Sequence, residues 1–510
     1  IYLTIDSKLQ KVARDSLKHA LEEIQKGGVF KSKWGDYNFG INKKKNRPYI
    51  YATSGSVVAI DVKTGELLAL ENFPSYDPNL FSTGISNSDW LSLFPENEKD
   101  LLAPRPLYNI AIQTAIQPGS TFKMVTALTA LEKGLSPNKT IRDMGYVDVG
   151  SDRFGCWIWN SYGGTHGSVN VYDALRDSCN YYFYSLAFGK NPRTGESLGM
   201  RVDIEDISNM SKKLGLNDKT GIEINIPREE SGGVPDPQRK VMITKGMLKR
   251  YLNNNIRSYI KEDVKLNDDE IRESIDEITS WIEEPEPMSR GEVIRRLDEM
   301  GFYPEKILPG DRSGLADKIK FDYINQASWN ITDTLNITIG QGQNAYTPIQ
   351  MANCIATLSN GGYRHQVTAI DNIKSFDNSE TIMEKGVKSE RIELNNYENL
   401  EHVKLGMKKV TTEGTARSLF KNFPVTVAAK TGTAQNHVIN PTTGEYYDDY
   451  AWFVAFAPYE DPEIAVAVVL FQGGSGGYAG PIAREIIAEY LGFNNMDKKE
   501  TLPFEIELVR

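Results

Sequence analysis

The chain has 510 residues with 58 basic and 68 acidic side chains, a net charge of −10, and so lacks the basic surplus of a nucleic-acid-binding protein. Its 40% apolar and 25% charged residues are ordinary globular composition, which excludes disorder and collagen, and three cysteines (Cys156, Cys179, Cys354) are too few for a disulfide scaffold. The longest uninterrupted apolar run, Ile464 to Phe471, is far shorter than the roughly 18 residues of a spanning helix. The sequence opens at Ile1 rather than Met, which leaves room for an upstream signal or anchor.

In chain order, Ser7 to Lys26 follows Asp6 and sets Leu9, Val12, Ala13, Leu17, Ala20, Leu21 and Ile24 at helical spacing, with Gly27 and Gly28 ending the run. The basic stretch at 42–47 (NKKKNR) reads as a solvated patch. Residues 55–70 (GSVVAIDVKTGELLAL) predict a hairpin turning at Thr64 and Gly65. From about Glu229 to Asp322 the chain becomes charge-rich, with runs such as NDDEIRESIDEITSWIEEPEP, and reads as an inserted helical subdomain with solvated faces. Ala451 to Ala457 and Ile464 to Phe471, separated by Pro458, Asp461 and Pro462, predict a second hairpin. Its second run scarcely alternates, as expected of a central strand covered on both faces. Pro481 then starts a closing helix with Ile482, Ile486, Ile487 and Tyr490 on one side. Strands near both ends with helices between them predict an α+β fold, an antiparallel sheet closed by its termini and flanked by helices. One domain is expected in two parts, 1–228 and 323–510, around the insertion at 229–322.

Three polar clusters carry the candidate chemistry. In Gln117-Pro118-Gly119-Ser120-Thr121-Phe122-Lys123, Ser120 begins a predicted buried helix, and a Ser and a Lys three apart share one face of a turn. A desolvated, neutral Lys123 could take the Ser120 proton and make that serine a nucleophile, although S-x-x-K is common by chance and taken alone the serine reads first as a plain helix cap. Ser178-Cys179-Asn180 lies between two helical pieces, VNVYDAL and YYFYSLAF, and offers a hydroxyl and an amide, or merely a polar turn satisfying its own backbone. Lys430-Thr431-Gly432-Thr433 continues the strand-like PVTVAA and could present an edge to an extended peptide, or be an ordinary strand end.

Together they occur in the order S-x-x-K, S-x-N, K-T-G, the signature set of penicillin-binding proteins and serine β-lactamases. The segments ATSGSVVAIDVKTGELLALENFPSYDPN, LYNIAIQTAIQPGSTFKMVTALTALEKG, IGQGQNAYTPIQMANCIATLSNGG, AAKTGTAQ and GPIAREII resemble the transpeptidase domain of class B penicillin-binding proteins. That resemblance implies a peptidoglycan D,D-transpeptidase in which Ser120 attacks the penultimate D-alanine carbonyl of a stem peptide, forms an acyl-enzyme and releases the terminal D-alanine. Lys123 would be the base, Ser178 and Lys430 the proton relay to the leaving amine, and Asn180 the holder of the peptide amide. The backbone N–H groups of Ser120 and Thr433 would form the oxyanion hole, and Thr431 and Thr433, with Gly432 between them, would bind the substrate carboxylate. β-Lactams would acylate the same serine. No other cofactor is implied for the chemistry.

Asp143, Cys156, His166 and Cys179 fall between the first motif and the end of the second, and two thiols, an imidazole and a carboxylate suit a closed tetrahedral zinc site. Two buried thiols and a loop histidine would satisfy the same spacing. Some elongation-type relatives, the penicillin-binding protein 2 group, carry zinc in this segment, and RDMG, FGCW, THGS and SCN resemble their pattern, with Cys156 where some have Asp. The resemblance implies a structural zinc that orders the loop holding Ser178 and Asn180.

It also implies an elongation-type protein on the outer face of the cytoplasmic membrane, held by an N-terminal anchor and pedestal, beside a glycan polymerase of the SEDS family. The rival readings are a serine β-lactamase, a D,D-carboxypeptidase, and a catalytically idle penicillin-recognising scaffold or sensor.

Overall fold

The computed structural model describes residues 1–223, 227–286 and 288–495. The first helix, α1 (Ser7–Lys26), forms as its spacing predicts: the Asp6 carboxylate accepts the Lys8 and Leu9 N–H groups, and Gly27, at φ 64, closes the other end. Its buried face is Leu9, Ala13, Leu17, Ala20, Leu21 and Ile24. The first hairpin is β1 (Ser54–Asp61) and β2 (Leu67–Phe73). A 3-10 turn over Gly119–Phe122 runs into α2 (Lys123–Glu132), and α3 (Val171–Arg176) and α4 (Asn180–Phe188) are separated only by Asp177, Ser178 and Cys179. Next come α5 (Pro348–Ser359), α6 (Glu398–Thr412), β3 (Ala428–Ala434), β4 (Tyr450–Ala457), β5 (Ile464–Phe471) and α7 (Gly480–Tyr490).

These strands form one antiparallel sheet in the order β3-β4-β5-β1-β2. The register Asp61↔Ile464 to Ser54↔Phe471 zips the early hairpin to the late one, so the termini close the sheet as the strand distribution predicts. β5 is central and buried throughout, which explains its lack of alternation. On one face α1 and α7 pack through Leu17, Leu21, Ile482 and Ile486 against Val57, Ala59, Val466 and Val468. α5, buried along its whole length, covers β1 and β5 from the other face.

Three local expectations need correction. Ser120 does not begin the α-helix; it sits in the 3-10 turn before it, because Gly119 carries a positive φ of 55 that an α-helix cannot start from. The K-T-G residues lie inside β3 rather than at a strand end. Pairing starts at Ala428↔Phe456, and beyond Ala457 comes Pro458, which has no N–H for a ladder. The 42–47 patch is not merely solvated: Asn42 and Lys45 reach Asp448 at 2.7 and 2.9 Å and Arg47 reaches Glu445 at 2.6 Å, fastening the β3–β4 connection.

The chain divides into two compact units, one of 1–234 with 335 onward and one of Pro235–Thr334. The second has its own core, including Leu248, Leu252, Ile275, Trp281, Val293, Leu297, Phe302 and Ile319. It begins later than the expected 229 because Glu230 donates its N–H to the Ile112 carbonyl and Gly233 bridges to Ala345 in the first unit. It ends later than 322 because Ile324 and Ala327 still pack into its core. The final stretch of the expected 323–510 part, residues 496–510, lies outside the described residues. Among the described residues no helix is long and apolar enough to cross a membrane.

Because Leu17 is fully buried between α1 and the sheet, Leu17→Ala is expected to cost about 2–5 kcal/mol. A lower midpoint for the sheet-containing unit in denaturant unfolding followed by circular dichroism checks this.

Candidate active site

The site is built where the 3-10 turn meets β3. A Cβ on Gly432 would stand 2.6 Å from the Pro118 carbonyl oxygen, and one on Gly119 would stand 2.6 Å from the Thr433 carbonyl oxygen. Both positions must therefore be glycine for the turn carrying Ser120 to lie directly on the K-T-G strand. Further contacts fix the pair: the Gly119 N–H donates to the Gly340 carbonyl (3.0 Å), Gln341 Nε2 to the Thr433 carbonyl (3.2 Å) and Trp452 Nε1 to the Gln117 carbonyl (2.9 Å). The Gly476 N–H donates to Thr433 Oγ1 at 3.1 Å. Ser120 is half-buried at this junction.

Lys123, one turn on, is fully buried. Its Nζ donates to the Ser178 carbonyl at 2.8 Å, to Ser178 Oγ at 3.2 Å and to Asn180 Oδ1 at 2.5 Å. Lys430, equally buried, points its Nζ at the same Ser178 Oγ from β3, at 3.0 Å, and also donates to the Thr431 carbonyl at 3.1 Å. Ser178, which accepts from both, adopts φ 55, a left-handed conformation that is costly for a residue with a Cβ. Burial pulls the Lys123 ammonium down to about 8, against the opposing pull of Cys156 and Cys179. Burial, reinforced by the neighbouring Lys123, holds Lys430 well below the usual lysine range. The structure thus brings all three motifs together, and a lysine able to be neutral near pH 8 stands one turn from a half-exposed serine.

Behind this site, Asp143, Cys156, His166 and Cys179 converge with their ligand atoms within 4.8 Å of one another. A tetrahedral Zn²⁺ with Zn–S bonds of about 2.3 Å and Zn–N of about 2.0–2.1 Å has S···S edges of about 3.8 Å and S···N edges of about 3.6 Å. Here Cys156 Sγ lies 3.9 Å from Cys179 Sγ and 3.5 Å from His166 Nδ1, and Asp143 Oδ2 lies 3.0 Å from His166 Nδ1 and 3.5 Å from Cys179 Sγ. The donor set and its spacing fit such an ion. Its frame is held by backbone: the Gly145 and His166 N–H groups both donate to Asp143. The hydrogen bond from Cys179 favours the Cys156 thiolate, whereas burial pushes Cys179 up. Burial disfavours an imidazolium at His166, but Asp143 and Cys156 outweigh it and raise the group to about 9.

One contact was invisible in the sequence. Thr415, in the turn after α6, places Oγ1 3.2 Å from Thr431 Oγ1. Nothing in the local pattern Glu413-Gly414-Thr415-Ala416 marks it, since the partner comes from β3.

A family model described as the penicillin binding protein transpeptidase domain matches residues 55–250 and 299–488. The chain belongs to that family. This penicillin-binding protein is 27% identical over 448 residues to the peptidoglycan D,D-transpeptidase MrdA of Acinetobacter baumannii, with 86% of this chain and 50% of the relative covered. The chain spans about half the length of the curated relatives it matches. The solved structure of Pseudomonas aeruginosa PBP2 in complex with WCK 5153 is similar with a TM-score of 0.60 and 25% identity, covering 96% of this chain and 78% of that one. A chain from a structure on the coordination of polymerization and crosslinking by a peptidoglycan synthase complex has a TM-score of 0.63 and 24% identity, covering 96% and 62%, and shows the same fold. The class B, penicillin-binding protein 2 character expected from the motifs agrees with these names.

Proposed function

We propose that this chain is the catalytic part of a serine-type peptidoglycan D,D-transpeptidase of the elongation type, acylated by β-lactams. The observation that carries the reading is the convergence of two buried lysines, Lys123 and Lys430, on Ser178 Oγ beside the Ser120 turn. Neutral Lys123 takes the proton as Ser120 Oγ attacks the carbonyl of the penultimate D-alanine. The N–H groups of Ser120 and Thr433 hold the developing oxyanion, and Asn180 orients the peptide amide. As the tetrahedral intermediate collapses, the proton passes through Ser178 and Lys430 to the leaving D-alanine amine, and the C–N bond breaks. An amine from a second stem peptide then attacks the acyl-enzyme, forming the cross-link and returning Ser120 its proton. Thr431 and Thr433, flanking Gly432, hold the terminal carboxylate of the donor.

The reading extends to the setting: a membrane anchor and pedestal preceding this chain, the outer face of the cytoplasmic membrane, and a SEDS-family glycan polymerase as partner. A chain of the same fold occurs in a structure on the coordination of polymerization and crosslinking by a peptidoglycan synthase complex, which is in keeping with a polymerizing partner. It also extends to a structural Zn²⁺ held by Asp143, Cys156, His166 and Cys179. With four protein ligands the ion leaves no position for water, and Cys179 links it to the S-x-N turn, so it would order Ser178 and Asn180 without entering the reaction.

Intact mass after benzylpenicillin treatment is expected to show an adduct that lasts for hours on the native chain and is missing from Ser120→Ala. An adduct lost within seconds assigns a β-lactamase instead, and none at all an idle scaffold. Since the lysine is inactive as a base while protonated, the acylation rate constant should rise about tenfold per pH unit up to about 8 and then level off, measured by stopped-flow with a reporter β-lactam. Elemental analysis of protein purified without chelator should give one zinc per chain. Cys179→Ser should lose the metal and melt at a lower temperature; zinc-free native protein would refute the site.

A further inference from the structure

The turn that carries Thr415 is fixed more firmly than a surface turn needs to be. The Thr415 N–H donates to the Arg176 carbonyl at 3.4 Å, the Ala416 N–H to Val410 at 2.9 Å, and a Cβ on Gly414 would stand 2.5 Å from that same Arg176 oxygen. The Arg176 guanidinium grips Asp177 through two nitrogens at 2.9 and 2.7 Å, Asp173 at 2.8 Å and, from the turn itself, Glu413 at 3.5 Å. Lys409, on α6, closes the cluster on Asp173 and Glu413 at 3.2 and 3.6 Å. The turn is therefore tied at one end to the residues immediately before the S-x-N motif. At the other, Thr415 Oγ1 meets Thr431 Oγ1 of the K-T-G strand at 3.2 Å. Yet the Thr415 side chain itself is exposed and Thr431 is half-exposed, so the hydroxyl pair faces outward from a rigid frame.

Two hydroxyls in contact carry two hydrogens. One is used between them, whichever group donates, and the other is left for a ligand acceptor, its donation strengthened by the first bond. A preset, outward donor favours an anionic oxygen over a neutral one. We propose that Thr415 is a specificity residue of this site, completing with Thr431 a hydroxyl pair that selects donors ending in a free carboxylate, while the Arg176 cluster holds its turn in place.

The inference rests on the acyl-enzyme reading, and the test separates the two. Acylation is followed with benzylpenicillin and with its methyl ester, in which the carboxylate is masked, on native protein, Thr415→Val and Thr415→Ser. Thr415→Val should slow benzylpenicillin acylation about tenfold, with the loss in the binding constant rather than in the limiting rate, and should leave the ester unchanged. Thr415→Ser should restore the native rate. Equal slowing of both probes, or no slowing of either, overturns the proposal. Thr415→Ala answers the same question if the valine variant does not fold. A penicillin adduct that survives Ser120→Ala would instead overturn the underlying reading.

Discussion

Two ammonium groups withdrawn from water and aimed at one hydroxyl cannot both keep their charge. Lys123 and Lys430 are each fully buried, and their nitrogens lie 3.2 and 3.0 Å from Ser178 Oγ. Desolvation of either charge is expensive, and their mutual repulsion adds to it. The arrangement is tolerable only if at least one lysine gives up its proton: Lys430, held well below the usual lysine range by burial and by Lys123, can do so while Lys123, at about 8, keeps its own near neutrality. Much of the surrounding structure makes sense as what holds this pair in place: the left-handed Ser178, the amide of Asn180, and the sulfur-rich cluster behind them that pulls electrostatically against complete loss of the Lys123 proton.

The two lysines come from elements far apart in sequence, so the geometry is only as good as the contact between those elements. That contact is backbone against backbone. Gly119 and Gly432 remove the two Cβ atoms that would hold the Ser120 turn away from β3, and Gln341 and Gly340 hydrogen-bond to the two sides of the junction. Rigid backbone packing transmits small displacements directly, with no flexible side chain between to absorb them.

Local signals were legible and long-range ones were not. α1 could be read from Asp6, its apolar spacing and Gly27, because cap, period and stop all lie within a few turns. The two hairpins and the closing of an antiparallel sheet by strands from both ends followed from where apolar runs fall along the chain, and the three motifs and the Asp143, Cys156, His166, Cys179 set were visible as residue types. The fastening of Asn42, Lys45 and Arg47 to Asp448 and Glu445, and the meeting of Thr415 with Thr431, were not, since each partner is supplied by a different element of the folded sheet. The limits of the second compact unit were hidden for the same reason: charge density changes near 229 and 322, but packing decides at Pro235 and Thr334.

The closing of the sheet by its two ends also sets the order in which the protein can come into being. β1 gains β2 at once, but its other edge waits for β5, from Asp61↔Ile464 to Ser54↔Phe471, until the chain has been made through Phe471. At about 5–20 residues per second that wait is on the order of tens of seconds, and the loop to be closed, from Asp61 to Ile464, is long. Through that interval Val57, Val58, Ala59 and Ile60 form an apolar strand with an unpaired edge, the feature most prone to pair with a neighbouring molecule. The arrangement that buries β5 so well thus makes the nascent chain dependent on protection until that strand arrives.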